Sequence, residues 1–148
     1  MGLLNEIGDG PLGLDSSIFI YYIEENPRYI AALDPIFDAL TEGRLKAVTS
    51  ALTLLETLVV PLRIGNEVLA RQYQRFLMRS QGLLLVPLDF GILRAAAYVR
   101  ATARLKTPDA LQVASVLSAG CTVFLSNDSR ISPLPGLRIL QLEDYLEI

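Results

Sequence analysis

The chain has no histidine and a single cysteine, Cys121, in 148 residues. Without histidine, neither Ser-His-Asp nor Cys-His catalysis can be built, and zinc loses its imidazole ligands. One cysteine cannot close an internal disulfide, which suits a reducing compartment, and the expected location is the cytoplasm. Any metal must be held by oxygen donors, and these favour a hard cation, Mg2+ or Mn2+, before softer metals.

Long apolar runs are also scarce, although 51% of the residues are hydrophobic. The one uncharged stretch of spanning length is the eighteen residues 110–127. It is broken by Gln112, Ser115, Ser118, Thr122, Ser126 and Asn127, and Gly120 punctuates it where a helix would end and a strand begin. No membrane span is expected. No basic leader region opens the chain, and Glu6 stands where a myristoylation signal carries Ser or Thr. Residues 1–148 are expected to form one domain, with 1–10 as a flexible N-terminal segment, and a domain of this length can bury about 68–70% of its unfolded surface.

The net charge of −3 is unevenly spread: residues 63–106 hold eight basic and two acidic side chains, or +6, and the remainder carries −9. Arg71, Arg75 and Arg79 recur every four residues, a spacing at which like charges repel. A solvated helix face, with Glu67 and Arg71 paired one turn apart, and an acidic or polyanionic partner remain equal readings.

Short apolar runs alternate with longer amphipathic ones. Strands are expected at PLGLD (11–15), LKAVTS (45–50), LLLVPL (83–88), TVFLS (122–126) and LRILQL (137–142), and helices near 16–24, 29–42, 50–63, 65–80, 89–105 and 108–119. The strands are continuously apolar, as in a parallel sheet covered on both faces. The expected fold is therefore α/β, a three-layer α/β/α sandwich around a mainly parallel five-stranded sheet. Gly8, Gly10 and Gly13 match the dinucleotide fingerprint, but they precede the first strand and Pro11 removes an amide the phosphate would need.

In such sheets the functional cleft lies beyond the carboxyl ends of the strands. Asp15 follows the first strand, and by itself reads as a helix N-cap. Asp109 follows Thr107 and Pro108, an N-cap and a first-turn proline, and reads as an acid complementing the helix dipole. Asp128 closes the run TVFLSND, where a turn would explain it. Glu56 is different: Leu52, Thr53, Val59 and Val60 surround it one helical turn away, a mostly apolar setting that would favour neutralisation, an arginine partner or a cation. If the topology holds, all four acids approach one edge of the sheet. They would repel strongly without a cation, and with one or two they could activate water and stabilise charge on a phosphoryl group.

The ordered segments LDSSIFIYYIE, SALTLLETLVVPLR and KTPDALQVASVLSAGCTVFLSNDSRI resemble the PIN-domain nucleases, and in particular the VapC-type toxins of type II toxin–antitoxin systems, over about residues 12–142. The resemblance implies that Asp15, Glu56, Asp109 and Asp128 are the catalytic and metal-holding quartet, supported by Ser126 and Asn127. It departs from the family's frequent acid-then-aromatic ending at Ser129-Arg130-Ile131. It further implies a Mg2+- or Mn2+-dependent endoribonuclease leaving 5′-phosphate and 3′-hydroxyl ends, a homodimer, and a cognate antitoxin that covers the acidic cleft.

An acidic site repels RNA, so Arg104, Lys106 and Arg130 are the candidate RNA-binding residues, with a salt-sensitive affinity expected. The helices over 50–80, with Ile64, Val68, Leu69, Phe76 and Leu77, are where a partner surface is expected, or where the hairpin packs on the sheet. Alternatives are a PIN nuclease of RNA maturation or decay and a non-catalytic binding module of the same fold. A phosphoacceptor receiver domain fits poorly, since it needs paired acids at the first strand and a lysine after a late strand.

Overall fold

The computed structural model describes residues 2–146. Five parallel strands form one sheet in the order β3-β2-β1-β4-β5: β1 Leu12–Leu14, β2 Ala47–Ser50, β3 Leu83–Val86, β4 Val123–Ser126 and β5 Arg138–Gln141. Strands β1, β2 and β4 are buried along their whole length, which is why their sequences do not alternate. Among the described residues seven helices connect and flank them: α1 Leu3–Ile7, α2 Ser16–Ile23, α3 Ile30–Thr41, α4 Leu52–Arg63, α5 Glu67–Arg79, α6 Phe90–Ala103 and α7 Thr107–Ser118. A 3-10 turn, Leu142–Tyr145, follows β5. The three-layer sandwich and all five expected strands are present.

Two hydrophobic layers sandwich the sheet. One gathers Leu12, Leu14, Ile18, Phe19, Leu33, Ile36 and Phe37, and the other Val48, Ile92, Val113, Val116 and Phe124. Residues 3–7 differ from the flexible segment expected there: Leu3 and Ile7, one helical turn apart, are buried in the first layer. Met1, the first residue of that segment, lies outside the described residues. The uncharged stretch 110–127 divides between α7 and β4, with Gly120 at φ +84° in the turn between them. Among the described residues no helix is long and apolar enough to cross a membrane. Burial of Cys121 pushes its thiol up to about 11, so it is not a reactive nucleophile at neutral pH.

Gly13, the last glycine of the apparent dinucleotide fingerprint, has a packing role instead. A Cβ there would lie 2.9 Å from Phe124 Cδ1 and 2.9 Å from Val116 Cγ1. The missing side chain lets α7 and β4 close on the central strand. Gly13→Ala is expected to lower stability by about 1–3 kcal/mol through overpacking, read from urea unfolding midpoints, and Val116→Ala in the same chain should recover part of the loss.

Candidate active site

The sheet order reverses beside β1: the chain builds outward to β2 and β3, then returns to add β4 and β5 on the other side. Loops leaving β1 and β4 therefore diverge and open a crevice at their carboxyl ends. Asp15 follows β1 and Asp128 lies two residues beyond β4. The helix α7 runs back toward the start of β4, so Asp109 in its first turn reaches the same edge.

Asp15 is the buried member, 8% exposed. One oxygen, Oδ1, accepts from the Ser16 amide at 2.8 Å, and Oδ2 accepts from Ser126 Oγ at 2.7 Å. Asp15 is thus the helix cap that its position suggests, but one oxygen alone serves that purpose. Ser126 Oγ also accepts from the Asp128 amide at 3.0 Å, so a single hydroxyl ties the two acid-bearing strand ends together. Asn127 points its amide at Tyr21 and Tyr29, and its Oδ1 accepts from the Glu143 amide at 3.2 Å. It secures the turn rather than joining the acids.

Glu56 meets polar partners. Its Oε1 accepts from Ser16 Oγ at 3.1 Å and Gln112 Nε2 at 3.3 Å. The apolar setting expected for it is only partial, because Val59 and Val60 are 39% and 56% exposed and turn outward. Gln112, by contrast, is buried and starts a one-way chain of donors. Gln112 Nε2 donates to Thr53 Oγ1 at 2.8 Å, and Thr49 Oγ1 donates to the Leu14 carbonyl at 2.7 Å. The 2.7 Å bond between the two threonines must then run from Thr53 to Thr49, since the Thr49 hydrogen is already used. This chain joins α7, α4, β2 and the residue before Asp15. Sequence reading missed it, since Gln112 there registers only as a polar interruption. Its one signal is position, a single turn after Asp109 on the same helix face.

The charges at this edge act on one another. Burial, then the nearby charges of Glu56 and Asp128, raise the Asp15 carboxyl above the ordinary range, against the hydrogen bonds from Ser126 and Ser16. Asp109 is raised by burial and by the charges of Asp128 and Asp15, and among the described hydrogen bonds none ends on its carboxylate. Asp128 is lowered, chiefly by hydrogen bonds from Arg130. The helix α7 begins one residue earlier than expected, so Lys106 rather than Thr107 takes the cap position.

Of the basic candidates, Lys106 and Arg130 are cations that act on both Asp109 and Asp128. Arg104 is exposed and closes α6 with a left-handed backbone, φ 58°. Arg71, Arg75 and Arg79 enter none of the ion pairs among the described residues, and Glu67 does not pair with Arg71. Arg75 and Arg79 instead border a hollow of about 770 Å3 whose wall also holds Glu25 and Asp34. The partner-surface candidates separate: Leu77 is buried and Phe76 packs against the core, whereas Ile64 and Val68 are 67% and 76% exposed, as are Leu55, Val60 and Leu62 on α4 at 59%, 56% and 52%.

The donors at the acidic edge are all oxygen, which suits a hard divalent cation. Among the described residues no three His, Cys, Asp or Glu side chains are grouped closely enough to hold a metal ion in the arrangement shown. The two raised carboxylates, Asp15 and Asp109, nevertheless carry negative charge that burial and their neighbours disfavour and a cation would offset, and in that respect the oxygen donors fit one.

A family profile described as PIN domain matches residues 13–137. No curated protein matches the chain. Among solved structures, a toxin–antitoxin complex from Klebsiella pneumoniae is similar with TM-score 0.64 and 16% identity, over 90% of this chain and 98% of that one. VapBC2 from Rickettsia felis, bound to a DNA fragment from its promoter, gives 0.65 and 14% over 88% and 97%. VapBC-5 from Mycobacterium tuberculosis gives 0.57 and 17% over 89% and 99%. At these identities the likeness is one of fold.

A carboxyl whose pKa is raised by folding binds its proton more tightly in the fold than in the unfolded chain. Stability then falls as pH climbs from the ordinary carboxylate range through the raised value, and the loss persists at neutral pH. Asp109→Asn removes this penalty. In metal-free buffer at pH 7 it is expected to raise Tm by about 1–3 °C, in a domain where ~1 kcal/mol moves Tm by ~2–4 °C. The difference should vanish near pH 3, where the wild-type carboxyl is protonated, and calorimetry at the two pH values checks it.

Proposed function

The chain belongs to the PIN domain family, and from that premise we propose that it is a divalent-metal-dependent endoribonuclease, the toxin of a toxin–antitoxin pair. The observation that carries the reading is the crowding of Asp15, Asp109 and Asp128 at the sheet's reversal point, where Asp15 and Asp109 are raised by burial and by neighbouring acids, Asp128 acting on both. Asp15, Asp109 and Asp128 would hold Mg2+ or Mn2+, with Glu56 beside Asp15. When bound, such a cation lowers the pKa of water and offsets charge building on the phosphoryl oxygens.

The chain's own residues supply the remainder. Ser126 and Ser16 fix the Asp15 carboxylate, and the Gln112–Thr53–Thr49 chain holds α4 and α7 at a set distance from β1. Asp109, whose carboxylate receives no hydrogen bond among the described residues, keeps both oxygens open to the cation or to an attacking water. Lys106 and Arg130 at the margin attract the phosphodiester that the acids repel, and the affinity should fall with salt. Arg104, exposed at the end of α6, is offered as a secondary contact. The exposed apolar side chains Leu55, Val60, Leu62, Ile64 and Val68 are where we place the antitoxin and the second copy of a homodimer. A cytoplasmic location fits the unpaired cysteine.

One observation favours a non-catalytic binding module instead: the acids are not grouped as a ready-made metal centre. Cleavage separates the two readings. End-labelled structured and unstructured RNAs are incubated with purified wild type and Asp109→Asn, in Mn2+, Mg2+ or EDTA, after any co-purified partner is removed. The nuclease reading expects cutting by wild type only, with metal only, and a loss of at least about 100-fold in the variant, the scale of a removed acid–base group. Equal inertness of both proteins, with no Mn2+ bound by either, would favour the module.

A further inference from the structure

Arg130 grips Asp128 with a complete fork. Its Nε donates to Oδ1 at 2.9 Å and its Nη2 to Oδ2 at 2.7 Å, while its own amide adds a bond to Oδ1 at 3.0 Å. Both oxygens of this carboxylate are therefore engaged by a cation from its own chain. The grip has a fixed base and a free arm. Ile131 is 2% exposed and its amide bonds the Asp128 carbonyl at 3.2 Å, which anchors the turn. The Arg130 side chain is 65% exposed, and its guanidinium makes no other hydrogen bond among the described residues.

An ion pair this open contributes little to stability and exchanges readily. The planar guanidinium fits a phosphate as well as it fits a carboxylate, with two parallel bonds to either. Transfer from Asp128 to a phosphodiester would keep the number of charge-assisted bonds unchanged. It would also withdraw a positive charge from Asp109, on which Arg130 acts as well. Both carboxylates would then be left to a divalent cation at the moment the phosphate arrives.

We propose that Arg130 is a positioning residue that exchanges between Asp128 and a substrate phosphate, so that nucleic acid and divalent metal bind cooperatively. The inference rests on the nuclease reading above. In the free chain the arm neutralises Asp128 and competes with metal. With a phosphodiester present it bonds the phosphate, which frees Asp128 Oδ2 and leaves Oδ1 only the backbone amide of Arg130. Reciprocity follows: RNA tightens metal, and metal tightens RNA by the same factor.

The test reads binding rather than turnover. Mn2+ is titrated into wild type, Arg130→Gln, Arg130→Lys and Asp128→Asn and followed by electron paramagnetic resonance, with and without an octauridylate carrying phosphorothioate linkages. Without the oligonucleotide, Arg130→Gln should bind Mn2+ about two- to fivefold more tightly than wild type, the span of an exposed ion pair. The oligonucleotide should tighten Mn2+ binding by wild type and leave Arg130→Gln nearly unchanged. Arg130→Lys, which keeps the charge and loses the fork, should lie between them, and Asp128→Asn should bind Mn2+ weakly throughout. Equal Mn2+ affinity of wild type and Arg130→Gln, or equal tightening by the oligonucleotide, would overturn this inference alone. Absence of Mn2+ binding from wild type and every variant would overturn the nuclease reading together with it.

Discussion

A buried aspartate at the end of the central strand is the constraint around which this molecule is arranged. Asp15 must keep its carboxylate out of water and within reach of other negative charges, a costly position for an acid. Nearby parts of the fold serve to bear it. The N-terminus of α2 gives an amide to one oxygen and Ser126 gives a hydroxyl to the other. The same hydroxyl receives the Asp128 amide, so the β1 and β4 ends are fixed relative to each other by one oxygen atom.

Behind the acids runs a polar chain that has no catalytic atom in it. Gln112, Thr53 and Thr49 are all buried, and their donors pass in one direction to the Leu14 carbonyl. A network with its donors satisfied in this way is rigid, because every alternative leaves a buried group unpaired. It links three of the elements that carry acids, α7, α4 and the end of β1. The crowding of charge above it is therefore not relaxed by movement, and the native state tolerates repulsion at one edge because the core beneath holds that edge in place.

Much of this was legible in the chain itself. The five apolar runs became five strands, of which β1, β2 and β4 are covered on both faces while β3 and β5 form the partly exposed edges, and their order explains why the acids after β1 and β4 are neighbours. What was not legible depends on distance in sequence. Gln112 and Thr53 are 59 residues apart, and no local pattern announces that one will donate to the other. The short helix at Leu3–Ile7 has a spacing of four residues and one turn, too little periodicity to distinguish it from a loose lead-in. Arg130 could be read as a basic residue near the site, but its fork onto Asp128 is a matter of side-chain direction. Glu56 misled more usefully: two of its neighbours in sequence, Val59 and Val60, face outward, and its polar company comes from Ser16 and Gln112.

Burial first, and the neighbouring negative charges second, hold Asp15 and Asp109 above the ordinary carboxylate range, and a divalent cation is expected to relieve both. Carbon-detected NMR of the aspartate carboxyls, titrated against pH with and without Mg2+, measures it directly. Asp15 and Asp109 should titrate above the ordinary carboxylate range in metal-free buffer, and Mg2+ should bring both down. Ordinary titration of both residues, or raised values indifferent to Mg2+, would contradict it.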